Sequence, residues 1–286
     1  MASIKILRRR IKSIQGTAKI TRAMEMIATA KLKRTQQQAI AARPYSEKIR
    51  QVIANLAIEP QSGGSVPPLL EKRDPQNIYL VLMTTDRGLC GGLNTNLNRL
   101  VARFILEQKA PVQLVTVGRK GRSFARNAGL RIYAEFAGMG DRATMREALP
   151  ISHLLIEDYS KGLVDLVYLA HPNFVSTMIQ QPRIDVLLPV EPGKVSVGYT
   201  AEYIYEPGAT TVLNDLLPRF VEMQVYHSIL ELIASEQSAR MVAMRNASES
   251  AGDMIESLTL TLNKARQESI TKEISEITGG AEVFKA

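Results

Sequence analysis

The sequence predicts an α/β protein in which a domain built on a largely parallel sheet lies between two long helices. Three observations predict it. Both ends of the 286-residue chain are proline-poor tracts with helical apolar spacing, the middle alternates short β-branched runs with helical pieces, and Pro/Gly-rich segments part these regions. Residues 2–43 contain no proline and one glycine. Ile4, Leu7, Ile11, Ile14, Ala18, Thr21, Glu25, Ala28 and Leu32 recur there at alternating steps of three and four, a heptad seam with polar breaks. Such a helix reaches roughly 60 Å before Pro44 ends or kinks it. Glu59 to Pro75 then marks the edge of the central domain, with Pro60, Gly63, Gly64, Pro67 and Pro68 inside it.

Ile78 to Met83, Val112 to Val117, Ile132 to Phe136, Val164 to Ala170 and Asp185 to Leu188 read as strands, while Thr95 to Lys109 and about Pro150 to Gly162 read as helices. Pro189 to Pro207 marks the second edge. Arg219 to Thr278 is a second proline-free tract with only Gly252 inside, roughly 90 Å long if continuous, and Gly279-Gly280 supplies a stop signal. Its seam reads Met244, Ala247, Ala251, Met254, Leu258, Thr261 and Ala265. Helices this long exceed the ordinary mean of about 11–12 residues, and a projecting coiled coil explains them. The resulting boundaries are a first coiled-coil helix over 1–58, a globular α/β domain over 76–206 and a second helix over 209–286.

The formal net charge of +8 is unevenly placed. Residues 1–50 hold thirteen Lys or Arg against two acids, Glu25 and Glu47, whereas from Arg219 onward seven basic residues face ten acidic ones. The two ends are electrostatically complementary. Lys5, Arg8, Lys12, Lys19 and Arg22 fall on one stripe beside the apolar seam, so the charge has a direction. No stretch approaches the roughly 18–20 apolar residues of a membrane-spanning helix, and the Arg-rich start lacks the apolar core of a signal peptide. A single cysteine, Cys90, excludes an intramolecular disulfide, and with three scattered histidines it does not make a four-ligand zinc site. The absence of Trp argues against a base-stacking platform.

Catalytic chemistry is not evident. The loop Asp86-Arg87-Gly88-Leu89-Cys90-Gly91-Gly92-Leu93-Asn94 follows a strand and precedes a helix, where a phosphate cradle would sit. It lacks both the G-x-G-x-x-G spacing and a Gly-Lys-Ser/Thr ending, as does Gly118-Arg119-Lys120-Gly121-Arg122-Ser123. His153, His171 and His227 are widely spaced, and no paired carboxylates or nucleophile elbow stand out. Structural roles are expected for the histidines, and a buried or half-buried thiol for Cys90.

The opening "RRRIKSIQGTAKITRAMEMIATAKLKR", the central "DRGLCGGLNTN", "YIYEP" near residue 205 and the closing "SEQSARMVAMRNASESAGDMIESLTLTLNKARQESITKEISEITGGA" resemble the gamma subunit of bacterial F-type, proton-translocating ATP synthases. The resemblance spans essentially the whole chain. It implies a Rossmann-like α/β domain inserted between N- and C-terminal helices that form an antiparallel coiled coil. It further implies a central rotor stalk, turned by proton flow through the membrane ring, that rotates asymmetrically inside a hexamer of three alpha and three beta subunits. Each beta subunit then meets a different face and is biased to a different conformation. The resemblance implies no cofactor, metal or catalytic residue of the chain's own. Expected partners are the alpha, beta and epsilon subunits and the membrane c-ring, with no nucleic acid. The expected location is the cytoplasmic side of the bacterial plasma membrane, with indirect attachment through the ring.

By the same resemblance, Lys31 and Arg34 in "TAKLKR" and Arg87 in "DRGLCG" face acidic lever loops of the beta subunits. Met24 in "AMEM" and Arg240 in "SARM" lie close to each other and to those levers. Arg266 and Gln267 in "ARQESIT" hydrogen-bond a catch loop of one beta subunit, with Thr271, Glu273 and Glu276 near that contact. Tyr205 and Glu206 touch the membrane ring, with epsilon beside them. The chain departs from the family's common pattern at Gly16, where Asn is usual, and it shows neither the insertion nor the cysteine pair of plant members. Two other readings are open from the residues alone: a basic coiled-coil nucleic-acid-binding protein, from the first 50 residues, and a Rossmann-like enzyme, from the loop at Asp86 to Asn94.

Overall fold

The computed structural model describes residues 4–56, 67–138, 140, 144–191, 205–206 and 208–283. Parts of both expected edge segments, residues 57–66 and 192–204 with 207, lie outside the described residues. The chain divides into two compact units, Met1–Ile27 with Met241–Ala286, and Ala28–Arg240. Helix α1 (Ile4–Leu56) and helix α5 (Ala209–Val283) each contribute to both.

In the smaller unit, every expected seam position of α1 from Ile4 to Glu25 is buried or half-buried, and the residues between them are exposed apart from Met24. On α5 the seam differs in phase. Met254 and Thr261 point outward, and Ile255 and Leu262 take their places, giving Met244, Ser248, Ala251, Ile255, Leu258, Leu262 and Ala265 at strict four-three steps. The larger aliphatic side chains settle the phase that a row of small residues leaves open. Arg245 Nε donates to Glu25 Oε1 at 2.9 Å, which explains a carboxylate on the α1 seam. Arg245 lies near the start of the α5 segment and Glu25 near the end of the α1 segment. Leu7, about 27 Å back along α1 and only 4% exposed, is therefore covered by residues further along α5. The two helices run antiparallel.

The larger unit contains strands β1 (Ile78–Met83), β2 (Val112–Val117), β3 (Ile132–Phe136), β4 (Leu166–Phe174) and β5 (Gln180–Leu188), in the order β3-β2-β1-β4-β5. All pairs are parallel except β4 with β5. Helices α2 (Leu93–Glu107), α3 (Arg119–Asn127) and α4 (Met145–Ser160) connect or follow the strands. Strand β1 is central and buried throughout. Its odd residues Tyr79, Val81 and Met83 face α4, α5 and the end of α1, while Leu80 and Leu82 face α2 and α3.

Several boundaries depart from the sequence reading. Helix α1 continues through Pro44 to Leu56, because Ile49, Ile53 and Leu56 are buried in the core and offset the cost of the proline. Helix α5 (Ala209–Val283) likewise carries Pro218 inside it, ahead of the proline-free tract from Arg219, and runs past the stop signal Gly279-Gly280. Helix α4 starts at Met145 rather than near Pro150, since the Thr144 N–H donates to the Glu147 carboxylate at 2.9 Å and caps the first turn. Helix α3 has no counterpart among the expected helices; it buries only Gly121 and Ala125 with Phe124 half-buried beside them, so its two faces are set apart by basic residues rather than by a row of large apolar ones. Strands β4 and β5 form a longer hairpin than Ala170 and Asp185 suggested. Its interrupting prolines, Pro172 and Pro182, occupy a single rung, beyond the last β1–β4 pair and on an edge strand, so no other strand loses a donor.

Candidate functional site

The loop after β1 is a rigid mount built from its own side chains. Thr85 Oγ1 donates to the Arg87 carbonyl at 2.6 Å, Asn94 Oδ1 accepts from the Thr85 N–H at 3.2 Å, and Asn94 Nδ2 reaches Thr85 Oγ1 and Cys90 Sγ at 2.8 and 3.3 Å. Asp86 accepts from the Arg119 and Gly138 N–H groups at 2.9 and 3.0 Å, joining the ends of β1, β2 and β3. Leu89 and Gly91 both have positive φ, 63° and 57°, so the chain turns sharply and leaves Arg87 and Leu89 exposed. Cys90 is buried against Leu93 and Ala239, and that burial pushes its thiol above the ordinary value, partly opposed by the hydrogen bond with Thr85. A buried thiol raised in this way stays protonated and is not poised as a nucleophile.

Nor does the 118–123 turn at the start of α3 cradle phosphate. A phosphate site needs unused backbone N–H groups at a helix N-terminus. At the start of α3 the N–H groups of Arg119, Lys120 and Gly121 donate to Asp86 Oδ1, the Thr85 carbonyl and Thr84 Oγ1, at 2.9, 3.1 and 2.6 Å. Gly118, at φ 89°, and Gly121 are required because a Cβ on either would lie 2.1 Å from the Thr84 carbonyl oxygen or 2.8 Å from Thr84 Oγ1. The glycines serve close packing of helix on strand. A cavity of ≈ 400 Å³ beside this loop is closed on its other side by Ile229, Leu232, Ile233 and Glu236 of α5. Among the described residues no cluster of His, Cys, Asp or Glu is arranged to hold a metal ion.

Helix α5 grips the same sheet end. The Arg240 guanidinium, with its side chain 10% exposed, donates to the Gly88 carbonyl at 3.2 Å and to Glu236 Oε1 at 2.6 Å. Ser238 Oγ donates to the Thr177 carbonyl at 2.7 Å in the β4–β5 turn, and Ser235 Oγ to the Pro172 carbonyl at 3.3 Å. The structure thus brings Arg240 to the residue next to Arg87. Of the other expected residues in this unit, Arg34 is exposed, Lys31 is half-buried, Tyr205 packs against the main core and Glu206 is exposed. In the coiled-coil unit Met24 is half-buried, Arg266 is exposed, and Gln267 and Thr271 share a shallow groove with Lys264, Glu268, Lys272 and Ser275. Glu273 and Glu276 pair along α5 with Ser269 and Lys272 at 3.3 and 3.6 Å. Sequence reasoning missed Thr85, Asp86, Asn94 and Glu236, whose work is to hold the loop. Asn94, four residues after Cys90 at the start of α2, was the one available signal.

A family model described as ATP synthase matches residues 3–284. The ATP synthase gamma chain of Dehalococcoides mccartyi strain CBDB1 is 55% identical over 281 residues, covering 98% of this chain and 99% of that one. The chain belongs to the ATP synthase gamma-chain family. The gamma chain of Pelotomaculum thermopropionicum is 45% identical over 282 residues, with 98% and 99% covered. The central stalk/c-ring structure of Tetrahymena thermophila mitochondrial ATP synthase superposes with a TM-score of 0.61 at 25% identity, covering 80% of this chain and 99% of that one. A chain of the Euglena gracilis mitochondrial enzyme in rotational state 3 does so with a TM-score of 0.66 at 20% identity, covering 98% and 94%, which supports the fold. Membership in this family replaces the nucleic-acid-binding reading. No helix among the described residues is long and apolar enough to cross a membrane.

Proposed function

We propose that the chain is the central rotor stalk of an F-type ATP synthase, coupling proton flow through the membrane ring to ATP synthesis and hydrolysis on the beta subunits, and that it is not itself catalytic. The observation that carries this is the outer surface of the coiled-coil unit. With its seam already filled, it still exposes Ile6, Ile20, Met26, Ile27, Met254, Leu260, Ile270, Ile274 and Ile277, each 47–73% open. The basic stripe from Lys5 to Arg22 is exposed beside them. A coil that is apolar inside and out calls for a surrounding sleeve, and a basic stripe calls for acidic groups in that sleeve. Three alpha and three beta subunits around the coil supply such a sleeve.

In this reading 1–58 and 209–286 are the two stalk helices and 76–206 the domain carried by them. Lys31, Arg34 and Arg87 meet the beta levers, with Met24 and Arg240 serving the same contact. Arg266, Gln267 and Thr271 meet the catch loop, and Tyr205 and Glu206 face the c-ring and epsilon. The protein is peripheral, on the cytoplasmic face of the bacterial plasma membrane, held there through the ring. Support for the Arg87 assignment comes from its mount: its backbone is fixed by Thr85 while its side chain is left outward. The test is the native mass and composition of the complex that co-purifies with the tagged chain. Three alpha, three beta and one copy of this chain is the expected result; a lone chain overturns the reading. In the assembled enzyme, Lys31→Glu with Arg87→Glu lowers ATPase coupled to rotation, and unchanged kinetics removes the lever assignment.

A further inference from the structure

Among the described residues Leu89 is the one non-glycine residue with a positive φ, 63°. In that left-handed conformation the Cβ of an L residue crowds the following carbonyl oxygen, a cost that Gly91 at φ 57° does not carry. Burial does not offset it, since Leu89 is 62% exposed. An exposed leucine on relaxed backbone calls for no explanation. One held outward in a strained turn does, because such strain persists where the surroundings over-determine it, and it clusters at contact sites. The surroundings here are the bonds made by Thr85, Asn94 and Arg240, which draw Cys90 inward and leave its neighbour standing out.

The free charges around Leu89 are of one sign. A Cβ built on Gly88 would lie 3.8 Å from both Cε and Nζ of Lys120, so that ammonium group rests against the backbone between Arg87 and Leu89. Arg87 and Lys120 are exposed, and among the described residues no carboxylate pairs with either. The exposed Arg119 side chain meets only Asp86, at 4.0 Å, and the two Asp86 oxygens already accept from the Arg119 and Gly138 N–H groups. Glu236, which lines the adjoining cavity, is held by Arg240 at 2.6 Å. The carboxylates of this sheet end are turned inward and its cations outward, with one apolar side chain among them. An apolar centre within a charged rim is the make-up of a protein–protein contact, whereas a phosphate backbone finds nothing to hold in the leucine.

We propose that Leu89 is the apolar anchor of a docking face, with Lys120 as a second cation beside Arg87, for an acidic segment of a beta subunit that carries an apolar pocket between its carboxylates. This rests on the rotor reading, and it extends the lever contact from charge alone to charge around a covered leucine. A turn fixed before contact has already lost the freedom that docking would otherwise remove, which is the use of the strain.

The test is made in the intact complex purified with the tagged full chain. A leucine analogue carrying a photoreactive diazirine, placed at position 89, is expected to link to an Asp/Glu-rich stretch of a beta subunit, located by mass spectrometry. In the same complex, labelling of Cys90 reads opening of the turn. Leu89→Asn puts in a residue that tolerates the left-handed conformation and removes the apolar contact. Lost docking makes Cys90 label about tenfold faster, the scale of one interface anchor; strain relief without a partner makes it label more slowly. Lys120→Gln, whose side chain makes no hydrogen bond within the turn, gives a smaller rise and serves if Leu89→Asn does not assemble. Met178→Asn, exposed in the β4–β5 turn, gives none. A lone chain overturns the rotor reading and this inference with it. A complete complex in which position 89 links elsewhere, nucleic acid included, or in which Leu89→Asn labels no faster, overturns this inference alone.

Discussion

Replacing Arg240 by Met removes the fork that holds the Arg87 loop while keeping most of the stem. The guanidinium donates to the Gly88 carbonyl and to Glu236, whose side chains are 10% and 13% exposed for the Arg–Glu pair. A hydrogen bond to a charged group contributes roughly 1.5–3 kcal/mol, and breaking a fully buried pair costs roughly 3–5 kcal/mol. Partial exposure places the loss here at about 2–3 kcal/mol. It falls on local opening of the loop, because Arg240 is one residue from Ala239, which packs on Cys90. Cys90 is the sole thiol of the chain and is 2% exposed, so its labelling rate reports that opening. With opening as a fast pre-equilibrium, a loss of about 2–3 kcal/mol raises labelling about 30- to 140-fold. Glu236→Gln gives a smaller rise, since the Gly88 bond is kept. Labelling of Arg240→Met within about threefold of the unaltered chain would refute the claim that this guanidinium holds the loop.

Gly118→Ala is expected to destabilise the larger unit by about 3 kcal/mol or more, from positive-φ strain and the clash with the Thr84 carbonyl, read as a lower denaturant midpoint. A shift under about 1 kcal/mol contradicts the packing account of that glycine. On α5, Ile255→Ala should cost roughly 1–3 kcal/mol and Met254→Ala under about 0.5 kcal/mol, checked by thermal melting of the full chain; equal losses would restore the other seam phase. Burial works to raise the Asp185 carboxyl but is outweighed by the His171 hydrogen bond and the Arg183 charge, so it lies below its ordinary value. Its contribution is therefore complete above about pH 4 and is lost as pH falls further. Asp185→Asn should shorten the acid limb of the stability profile, and an unchanged limb counts against the pairing.

What could be read from the sequence tracks how strongly each side chain votes. Strands β1, β2 and β3 were legible to the residue, β1 because two-faced burial leaves the unbroken apolar run Ile78–Met83, and the edge strand β3 because its residues alternate between half-buried and exposed. The α1 seam was legible because Ile and Leu mark it. The α5 seam was legible in period but not in phase, since Ala247, Ser248, Ala251 and Thr261 are all small enough to sit on either side of it. Helix α3 was hidden by its basic face, and the hairpin ends by Pro172 and Pro182. Among candidate site residues, outward position at Arg34, Arg87 and Arg266 was foreseeable from charge. The hold of Arg240 on Gly88 was not, because it joins residues 152 positions apart.

The topology is one that hosts nucleotides elsewhere, but the start of α3 is spent on the fold itself. In open α/β sheets the loop after a strand leaves a helix N-terminus pointing at a crevice, and the exposed N–H groups bind phosphate. Here the first three N–H groups of α3 are consumed by Asp86, Thr85 and Thr84. The next contact on that sheet end is made by α5 through Ser235, Ser238 and Arg240. At the start of α3 the donors that would grip a ligand instead stiffen the bond between strand, loop and helix. A binding loop needs unspent donors and some freedom to close. A loop that passes a push from Arg87 into a helix, as proposed for the stalk, would need the reverse: spent donors, few soft dihedrals and a buried ion pair at its root. Restoring a free N–H cluster at Arg119–Gly121, for instance with Thr84→Val and Asp86→Ala, should therefore loosen the mount before it creates any anion site.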